Sequence, residues 1–296
     1  MAAAPAITPP PQGVETPLVL GATGRIGAGF QRLAAAGLWP GPPPLWQVRD
    51  RASATASQVV WDILASDPPA FGPVSGIIAL AGVVRGDLGL NTALALAAVE
   101  LARKIGRPVL LTSSAAVYGR ISEPADEDAT CAPISPYGHA KLAMEQAVAR
   151  RLREMGPDAP PCCILRIGNV AGVDSLLEAA ARGPVSLDQF SDGHGPVRSY
   201  IGMQTLAQIM LQLIGLAAGG AILPPVLNIA APQPVHLADL LRATRANWSW
   251  RAAPAEALPQ VVLDTRRLAA LVLPDPLSPD PAELVRQARL AGWAPQ

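Results

Sequence analysis

The sequence predicts an α/β fold, in which a doubly wound parallel sheet is followed by a smaller C-terminal lobe. Short and continuous apolar runs alternate with helical patterns up to about Gly172, as expected for parallel strands that are covered on both faces. A glycine-rich turn directly follows the first of these runs. The chain has 296 residues, of which 50% are hydrophobic, so it can bury a core without disulfide bonds.

The charge and the cysteine content exclude several classes of protein. The 23 basic and 23 acidic residues give a net charge of zero, so we expect neither a nucleic-acid partner nor a membrane partner. Three cysteines and three histidines are scattered without metal-ligand spacing, so no metal site is expected. Residues 1–16 lack the pattern of a signal peptide, which predicts a flexible tail and a cytoplasmic protein.

The elements follow from the order of the apolar runs. Because each strand run is short and each helical pattern is longer, the two types can be told apart by length. Only residues 51–58 separate the second and third strands, which is too short for a crossover helix. The predicted strands span 17–20, 45–49, 59–63, 76–84, 108–112 and 162–167, and the predicted helices span 25–38, 91–105 and 137–155.

A nearly apolar stretch at 206–227 is predicted to be a surface helix packed on the core, followed by a turn. Gln204, Gln208 and Gln212 recur at every fourth residue and draw a polar stripe along one helix face. Glycines and prolines at 219–225 end the helix. Beyond Gly172 the sequence otherwise predicts loops and Pro-rich stretches.

The glycine-rich turn Gly21-Ala22-Thr23-Gly24-Arg25-Ile26-Gly27 lies after the first predicted strand and opens the first predicted helix. The first glycine suits a tight turn, the second lets the backbone approach a pyrophosphate, and the third lets helix and strand pack closely. The helix N-terminus adds partial positive charge. This context predicts a dinucleotide-binding domain at 17–171, with 199–230 returning to it, and a substrate lobe at 172–198 and 231–296.

Tyr137 and Lys141 form a Tyr-x-x-x-Lys pair, which one helix face would carry. The chain has two lysines and 21 arginines, so a lysine at this position indicates a need for a compact ammonium. A free tyrosine has a pKa near 10. We therefore expect the Lys141 ammonium to lower the pKa of Tyr137 and to make it a usable acid or base.

Together with these motifs, further segments resemble the extended short-chain dehydrogenase/reductase family, the NAD(P)-dependent sugar epimerases and dehydratases, over roughly residues 18–293. The resemblance implies a Rossmann-type sheet. The segments that carry it are Leu80-Ala81-Gly82, Leu110-Leu111-Thr112-Ser113-Ser114-Ala115-Ala116-Val117-Tyr118-Gly119, Arg166-Ile167-Gly168-Asn169-Val170-Ala171-Gly172 and Gly193-His194-Gly195-Pro196-Val197-Arg198-Ser199-Tyr200-Ile201.

The resemblance also implies roles for individual residues. Ser114, with Ser113 as the alternative, would hydrogen-bond the substrate oxygen whose proton Tyr137 handles. Asn169 and Arg198 would contact the substrate phosphates, although Arg198 could instead form a structural salt bridge. The implied cofactor contacts are Gly21, Thr23, Gly24, Arg25, Ile26, Gly27, Asp62, Ile63, Leu80, Ala81, Gly82, Tyr137, Lys141 and Ile167.

The choice between NAD and NADP depends on the end of the second strand. An acid there binds the ribose hydroxyls of NAD, whereas an arginine pairs with the 2′-phosphate of NADP. The sequence reads Arg49-Asp50-Arg51, and either Arg49 or Asp50 can occupy the position. Two arginines around one aspartate favour NADP.

Ala115 and Ala116 argue against dehydratase and decarboxylase reactions for this chain. In relatives that eliminate water or decarboxylate, acidic residues stand at these positions, and a methyl group transfers no proton. Downstream, Gly202, Gln204 and Thr205 replace the family's usual His and Asp.

The expected function is a nucleotide-sugar 4-epimerase that transfers a hydride between a nicotinamide and a carbinol carbon. The alternatives are an NADPH-dependent reductase of a small ketone or aldehyde and, in another class, a non-catalytic NAD(P)-sensing module. The resemblance implies a homodimer through the helices at 91–105 and 137–155.

Overall fold

The central feature of the structure, a computed structural model that describes residues 16–49, 57–272 and 280–294, is a seven-stranded sheet. Its strands are β1 (Thr16–Leu20), β2 (Leu45–Val48), β3 (Gln58–Val60), β4 (Val74–Ala79), β5 (Val109–Ser114), β6 (Cys162–Ile167) and β11 (Val226–Ile229). They lie in the order β11-β6-β5-β4-β1-β2-β3, and every neighbouring pair is parallel. The expected Rossmann-type α/β fold is confirmed. Asp50, one of the two candidates for the cofactor position at the end of the second strand, lies outside the described residues.

Helices cover both faces of this sheet. On one face, α1 (Arg25–Ala35) and α5 (Met203–Ala218) contact each other and share a core with Val19 of β1. On the other face, α2 (Leu90–Ile105) and α3 (Pro136–Met155) pack side by side over Leu18 and Leu20. The strand order reverses between β1 and β4, which opens a crevice at the carboxyl edge of the sheet.

The fourth strand ends earlier than the apolar run predicts. It stops at Ala79 rather than continuing through residue 84. The N–H of Leu80 still donates to the carbonyl of Leu20, at 2.9 Å. Beyond that point β1 has ended at the glycine-rich turn, so residues 81–84 have no strand beside them on the β1 side. They form a loop at the crevice instead.

The predicted helix with the glutamine stripe is α5. Its apolar side packs on β4 and β5, with Ile209 and Leu213 fully buried, and Gln212 is exposed. After this helix, β11 pairs with β6 and completes the sheet. None of the helices in the described part of the chain is long and apolar enough to cross a membrane.

The C-terminal lobe is more regular than the expected loops and Pro-rich stretches, and that expectation was wrong. Strands of two to five residues give too little periodicity to detect, and their partners are distant in sequence, as in the pairing of β8 with β13. The lobe contains β7 (Asn169–Val170), α4 (Ser175–Arg182), β8 (Val185–Gln189), β9 (Val197–Arg198), β10 (Tyr200–Ile201), β12 (Val235–His236), α6 (Leu237–Thr244), β13 (Trp248–Ala252), β14 (Gln260–Val261), α7 (Arg266–Ala269) and α8 (Pro281–Leu290).

A buried ion pair joins the sheet to α3. Arg166 of β6 donates from Nη2 to Oε2 of Glu145 on α3 at 2.8 Å, and both side chains are less than 9% exposed. Ser113 of β5 donates to Oε1 of Glu145 at 2.5 Å. Arg166 also donates to the hydroxyl of Tyr118 at 3.0 Å, and that hydroxyl donates to Asn228 at 2.7 Å. Burial disfavours the charged form of Arg166, but its bonds to Glu145 outweigh burial and raise its pKa.

We predict that Glu145→Ala destabilises the protein by ~3–5 kcal/mol, because it leaves a buried guanidinium without its counter-ion. Urea unfolding followed by circular dichroism measures the loss. Glu154→Ala is the matched control, since Glu154 forms an exposed ion pair with Arg151, and such pairs contribute about 0–1 kcal/mol. Equal losses in both variants would contradict a stabilising role for the buried pair.

Candidate functional site

Two adjoining cavities open at the carboxyl edge of the sheet. Cavity A, of about 410 Å³, lies between the glycine-rich turn and the loops after β3 and β4. Cavity B, of about 510 Å³, lies between that turn, the ends of β5 and β6, and the start of α3. Gly24, Leu80, Gly82 and Val83 line both cavities. The two cavities therefore form one continuous crevice.

The crevice contains almost every described residue that the sequence assigned to a site. Arg198 lies elsewhere. Cavity A is lined by Gly21, Thr23, Arg49, Asp62, Ile63 and Ala81, and cavity B by Arg25, Ile26, Gly27, Ser114, Tyr137, Lys141, Ile167 and Asn169.

The glycine-rich turn is shaped for close backbone contacts. Gly21 has φ +81°, and a Cβ there would lie 2.6 Å from the backbone nitrogen of Ala81. At Gly27 a Cβ would lie 2.6 Å from the carbonyl oxygen of Gly21. Helix α1 begins directly after Gly24 with no side-chain cap and no acidic residue in its first turn. Its first N–H groups and the positive end of its dipole thus suit a phosphate group.

Gln47 holds the turn in place, a role that the sequence reasoning missed. Its side chain is buried; Oε1 accepts from the N–H of Gly21 at 2.8 Å, and Nε2 donates to the carbonyl of Trp61. A lone polar residue inside the apolar strand β2 was the available signal. Arg49 follows two residues later and is exposed at cavity A.

The structure distinguishes the two candidate serines. The Ser113 hydroxyl is tied to Glu145 below the site. The Ser114 hydroxyl instead lines cavity B beside Tyr137, whose pKa it lowers, and it accepts from the N–H of Ala116 at 3.2 Å. Ser114 is thus the serine whose side chain belongs to the same cluster as the Tyr137 phenol.

Lys141 lies one helical turn after Tyr137, as the spacing predicts. Its side chain is buried, and Nζ lies 5.9 Å from the centre of the Tyr137 ring. Nζ donates to the carbonyl of Thr112 at 2.9 Å. Burial lowers the pKa of Lys141 to about 8, although the nearby charge of Glu145 acts in the opposite direction.

The pKa of Tyr137 departs from the expectation. Burial raises it, and the hydrogen bond from Ser114 and the charge of Arg25 only partly oppose this effect. The expected lowering by Lys141 is not found, because the ammonium bonds the Thr112 carbonyl and desolvation of the phenolate dominates. In the free protein the phenol is therefore held in its protonated form at neutral pH.

Arg198 is not among the residues that line either cavity. It lies on β9, and its guanidinium donates to the backbone carbonyls of Val197 at 2.8 Å, Leu258 at 2.8 Å and Pro259 at 3.3 Å. Within the described residues it forms none of the salt bridges, so that alternative is not found, and its contact with the substrate phosphates stays a prediction. Instead it holds the segment before β14 against β9.

Two further residues in cavity B were missed. Asn91 is buried at the start of α2, donating to the carbonyls of Val83 and Leu88 at 2.9 and 3.0 Å. It fixes the loop after β4, and its signal was an amide at the head of an apolar helix. Asp174 precedes α4 and also lines the cavity. Its carboxylate is treated below.

The described residues contain no group of three or more His, Cys, Asp and Glu side chains that could hold a metal ion. The crevice is instead a glycine-lined cleft with two hydroxyls and an amine. This combination is typical of dinucleotide-binding α/β proteins, and it places the Tyr137 phenol and the Lys141 amine at one end of the cleft.

Comparison with known proteins specifies the class further. Residues 86–190, which include Ser114, Tyr137 and Lys141, match the model of the NAD dependent epimerase/dehydratase family. No curated protein sequence matches the chain. Over residues 86–190 the match agrees with the resemblance to the NAD-dependent epimerases and dehydratases that the sequence motifs carry.

Solved structures with the same fold cover nearly the whole chain. The UDP-glucose 4-epimerase of Brucella ovis, in complex with NAD, is 20% identical with a TM-score of 0.70, over 95% of this chain and 100% of that one. The NAD-dependent NDP-hexosamine 5,6-dehydratase TunA of tunicamycin biosynthesis is 19% identical with a TM-score of 0.71, over 93% and 97%. The dTDP-glucose 4,6-dehydratase DesIV of Streptomyces venezuelae is 21% identical with a TM-score of 0.68, over 93% and 96%. At these identities the likeness establishes the fold.

We predict that Lys141 titrates with a midpoint near pH 8, because its burial disfavours the ammonium. The chain has one other lysine, Lys104. In a Lys104→Arg variant with ¹³C-labelled lysine, a single Cε resonance reports the titration of Lys141 in the protein freed of cofactor. A midpoint above pH 10 would show that the side chain is not desolvated in solution.

Proposed function

We propose that the protein is an NAD(P)-dependent oxidoreductase that moves a hydride between a nicotinamide and a substrate carbinol carbon, acting as a nucleotide-sugar 4-epimerase. The observation that carries the proposal is that Ser114, Tyr137 and Lys141 line one cavity together with the glycine-rich turn. A hydroxyl pair of this kind can hold an alcohol or carbonyl oxygen and exchange a proton with it.

The residues of the crevice fit a dinucleotide. The uncapped start of α1 would hold the pyrophosphate, Asp62 and Ile63 would contact the adenine end in cavity A, and Tyr137 and Lys141 would contact the nicotinamide end in cavity B. At Gly82 a Cβ would lie 2.8 Å from Oδ1 of Asn91, so glycine lets the Asn91 side chain pack against the backbone between the two cavities. When bound, the nicotinamide supplies a reversible hydride acceptor.

The chain's own groups would then handle the proton. Ser114 donates a hydrogen bond to the substrate oxygen, and Tyr137 gives a proton to that oxygen or takes one from it. The ammonium of Lys141 stabilises the phenolate when it forms. Asn169, at the end of cavity B, is proposed to contact the diphosphate of the substrate.

Solved structures with the same fold include both epimerases and dehydratases of nucleotide sugars, so they support the substrate class only. One observation supports an epimerase rather than a dehydratase. Ala115 and Ala116 follow Ser114 and offer no carboxylate for the extra proton transfers of an elimination. We therefore propose a hexose joined to a nucleoside diphosphate as the substrate, with cavity B and residues 172–198 and 231–296 as its binding lobe.

A second candidate is a net NADPH-dependent reductase of a small ketone or aldehyde. Burial keeps the phenol of Tyr137 protonated, which suits donation of a proton to a newly formed alkoxide. Arg49 faces cavity A, where a guanidinium can pair with the 2′-phosphate of NADP.

The homodimer through α2 and α3 stays a prediction.

We predict that Tyr137→Phe lowers the rate of UDP-glucose and UDP-galactose interconversion by at least about 10²-fold, because it removes the proton-transferring hydroxyl. Cofactor affinity, measured by fluorescence titration, should stay unchanged. Tyr118→Phe is the matched control: it removes a buried hydroxyl outside both cavities, so it should lower stability and leave kcat nearly unchanged.

Two results would decide against the epimerase. Undiminished turnover of Tyr137→Phe would remove the phenol from the mechanism. Mass spectrometry of what the purified protein releases on denaturation separates the two candidates: retained NAD favours the epimerase, and an empty protein that tightens on NADPH favours the reductase.

We predict that Arg49→Ala weakens NADPH binding about 10- to 100-fold, the loss expected for one charge-assisted hydrogen-bond partner, and leaves NADH binding unchanged. Isothermal titration calorimetry with both cofactors measures the difference. Arg289→Ala serves as the control, because Arg289 is exposed on α8 and does not line the crevice. An equal loss for NADH and NADPH would place Arg49 away from the 2′ position.

A further inference from the structure

The carboxylate of Asp174 uses only one of its two oxygens in the fold. Oδ1 caps α4 by accepting from the N–H groups of Leu176 and Leu177, at 3.0 and 3.1 Å. The same oxygen accepts from the hydroxyl of Tyr200 at 2.9 Å. Oδ2 is buried, and no group of the described residues hydrogen-bonds it.

The structural role of Asp174 does not require an acid. An asparagine, serine or threonine caps a helix with a single oxygen, so the second carboxylate oxygen adds nothing to the cap. Burial raises the pKa of Asp174, and the hydrogen bonds to the cap and to Tyr200 only partly oppose this. A buried acceptor without a donor destabilises the fold. The acid is therefore expected to serve a ligand.

Asp174 lies in the wall of the cavity that also contains the proposed reacting groups. It lines cavity B together with Ser114 and Tyr137. Asn169 lines the same cavity, and its strand pairs with that of Tyr200, whose hydroxyl donates to Asp174. Oδ2 of Asp174 is thus held in the wall of cavity B, and none of the described residues donates a hydrogen bond to it.

The nearby cations have other partners. Arg25, at the mouth of cavity B, is paired with Glu178, one turn along α4 from Asp174. Lys141 is bonded to the carbonyl of Thr112. A donor for Oδ2 is therefore expected to arrive with the substrate.

We propose that Oδ2 of Asp174 accepts a hydrogen bond from a ring hydroxyl of the substrate, and so binds the sugar portion of a hexose whose reacting oxygen lies at Ser114 and Tyr137. Asp174 is a binding and specificity residue in this proposal and transfers no proton. The proposal rests on the nucleotide-sugar function proposed above. It adds the wall of β7, Tyr200 and α4 as the sugar-recognising side of cavity B.

Calorimetry with the cofactor-loaded protein tests the proposal, using UDP-glucose and UDP as probes. Asp174→Asn keeps a capping oxygen, and Asp174→Ser keeps the cap without a second polar atom. We expect Asp174→Asn to weaken UDP-glucose binding by about 10-fold and Asp174→Ser by about 10- to 100-fold, the range for a lost hydrogen bond to a charged group. The affinities for UDP and for the cofactor should not change.

Deoxy analogues of UDP-glucose identify the hydroxyl. The analogue that lacks the bound hydroxyl should bind the wild-type protein as weakly as UDP-glucose binds the variant, and the substitution should not weaken it further. Asp280→Asn is the matched control, because Asp280 caps α8 by accepting from the N–H of Ala282 at 3.0 Å and lies outside both cavities.

Thermal unfolding separates binding from a structural role. Because the folded-state pKa of Asp174 is raised, the buried charge destabilises the wild-type protein above the unfolded pKa. Asp174→Asn should therefore have a Tm equal to or above that of the wild type at pH 7, with the difference shrinking as the pH falls.

Each other outcome overturns the proposal. A lower Tm at pH 7, or an equal loss of affinity for UDP and UDP-glucose, would make Asp174 a structural residue. Unchanged UDP-glucose binding by both variants would remove Asp174 from recognition and leave the proposed function intact. A wild-type protein that binds cofactor but neither UDP-glucose nor UDP-galactose would overturn the nucleotide-sugar function, and this inference with it.

Discussion

The buried pair between Arg166 and Glu145 is the interaction on which the rest of the site depends. Glu145 lies on α3 one turn after Lys141, and it also accepts from Ser113 of β5. One carboxylate therefore ties α3 to two strands of the sheet. Because a buried pair with this many hydrogen bonds tolerates little displacement, the phenol of Tyr137 on α3 and the hydroxyl of Ser114 on β5 are held at a constant separation.

Burial sets the protonation states of the cavity. Desolvation raises the pKa of Tyr137 and lowers that of Lys141 to about 8, so burial shifts both groups toward their neutral forms. At pH 7 the phenol is protonated and Lys141 is still mostly an ammonium. Ser114 and the charge of Arg25 act against burial at the phenol and lower the pKa of Tyr137. The site is thus built from groups whose charge is easily changed by what binds beside them, as proton transfer near neutral pH requires.

The C-terminal lobe contributes a wall to cavity B. Tyr200 and Asp174 join β10 to the start of α4, and the pair of Arg25 with Glu178 joins α4 to the glycine-rich turn. These contacts connect the proposed sugar side of cavity B with the proposed pyrophosphate side of the crevice. Arg198 holds backbone carbonyls of the lobe.

The sequence alone determined the class of sheet, the glycine-rich turn and the Tyr-x-x-x-Lys pair, because each depends on spacing within one or two neighbouring elements. It also indicated Ser114, through the local motif at the end of β5. Tertiary structure decided what depends on distant partners: the short strands of the lobe, the Gln47 contact with Gly21, the position of Arg198 and the raised pKa of Tyr137. Burial and contacts between segments over a hundred residues apart, such as Arg25 with Glu178, leave no periodic signal in the chain.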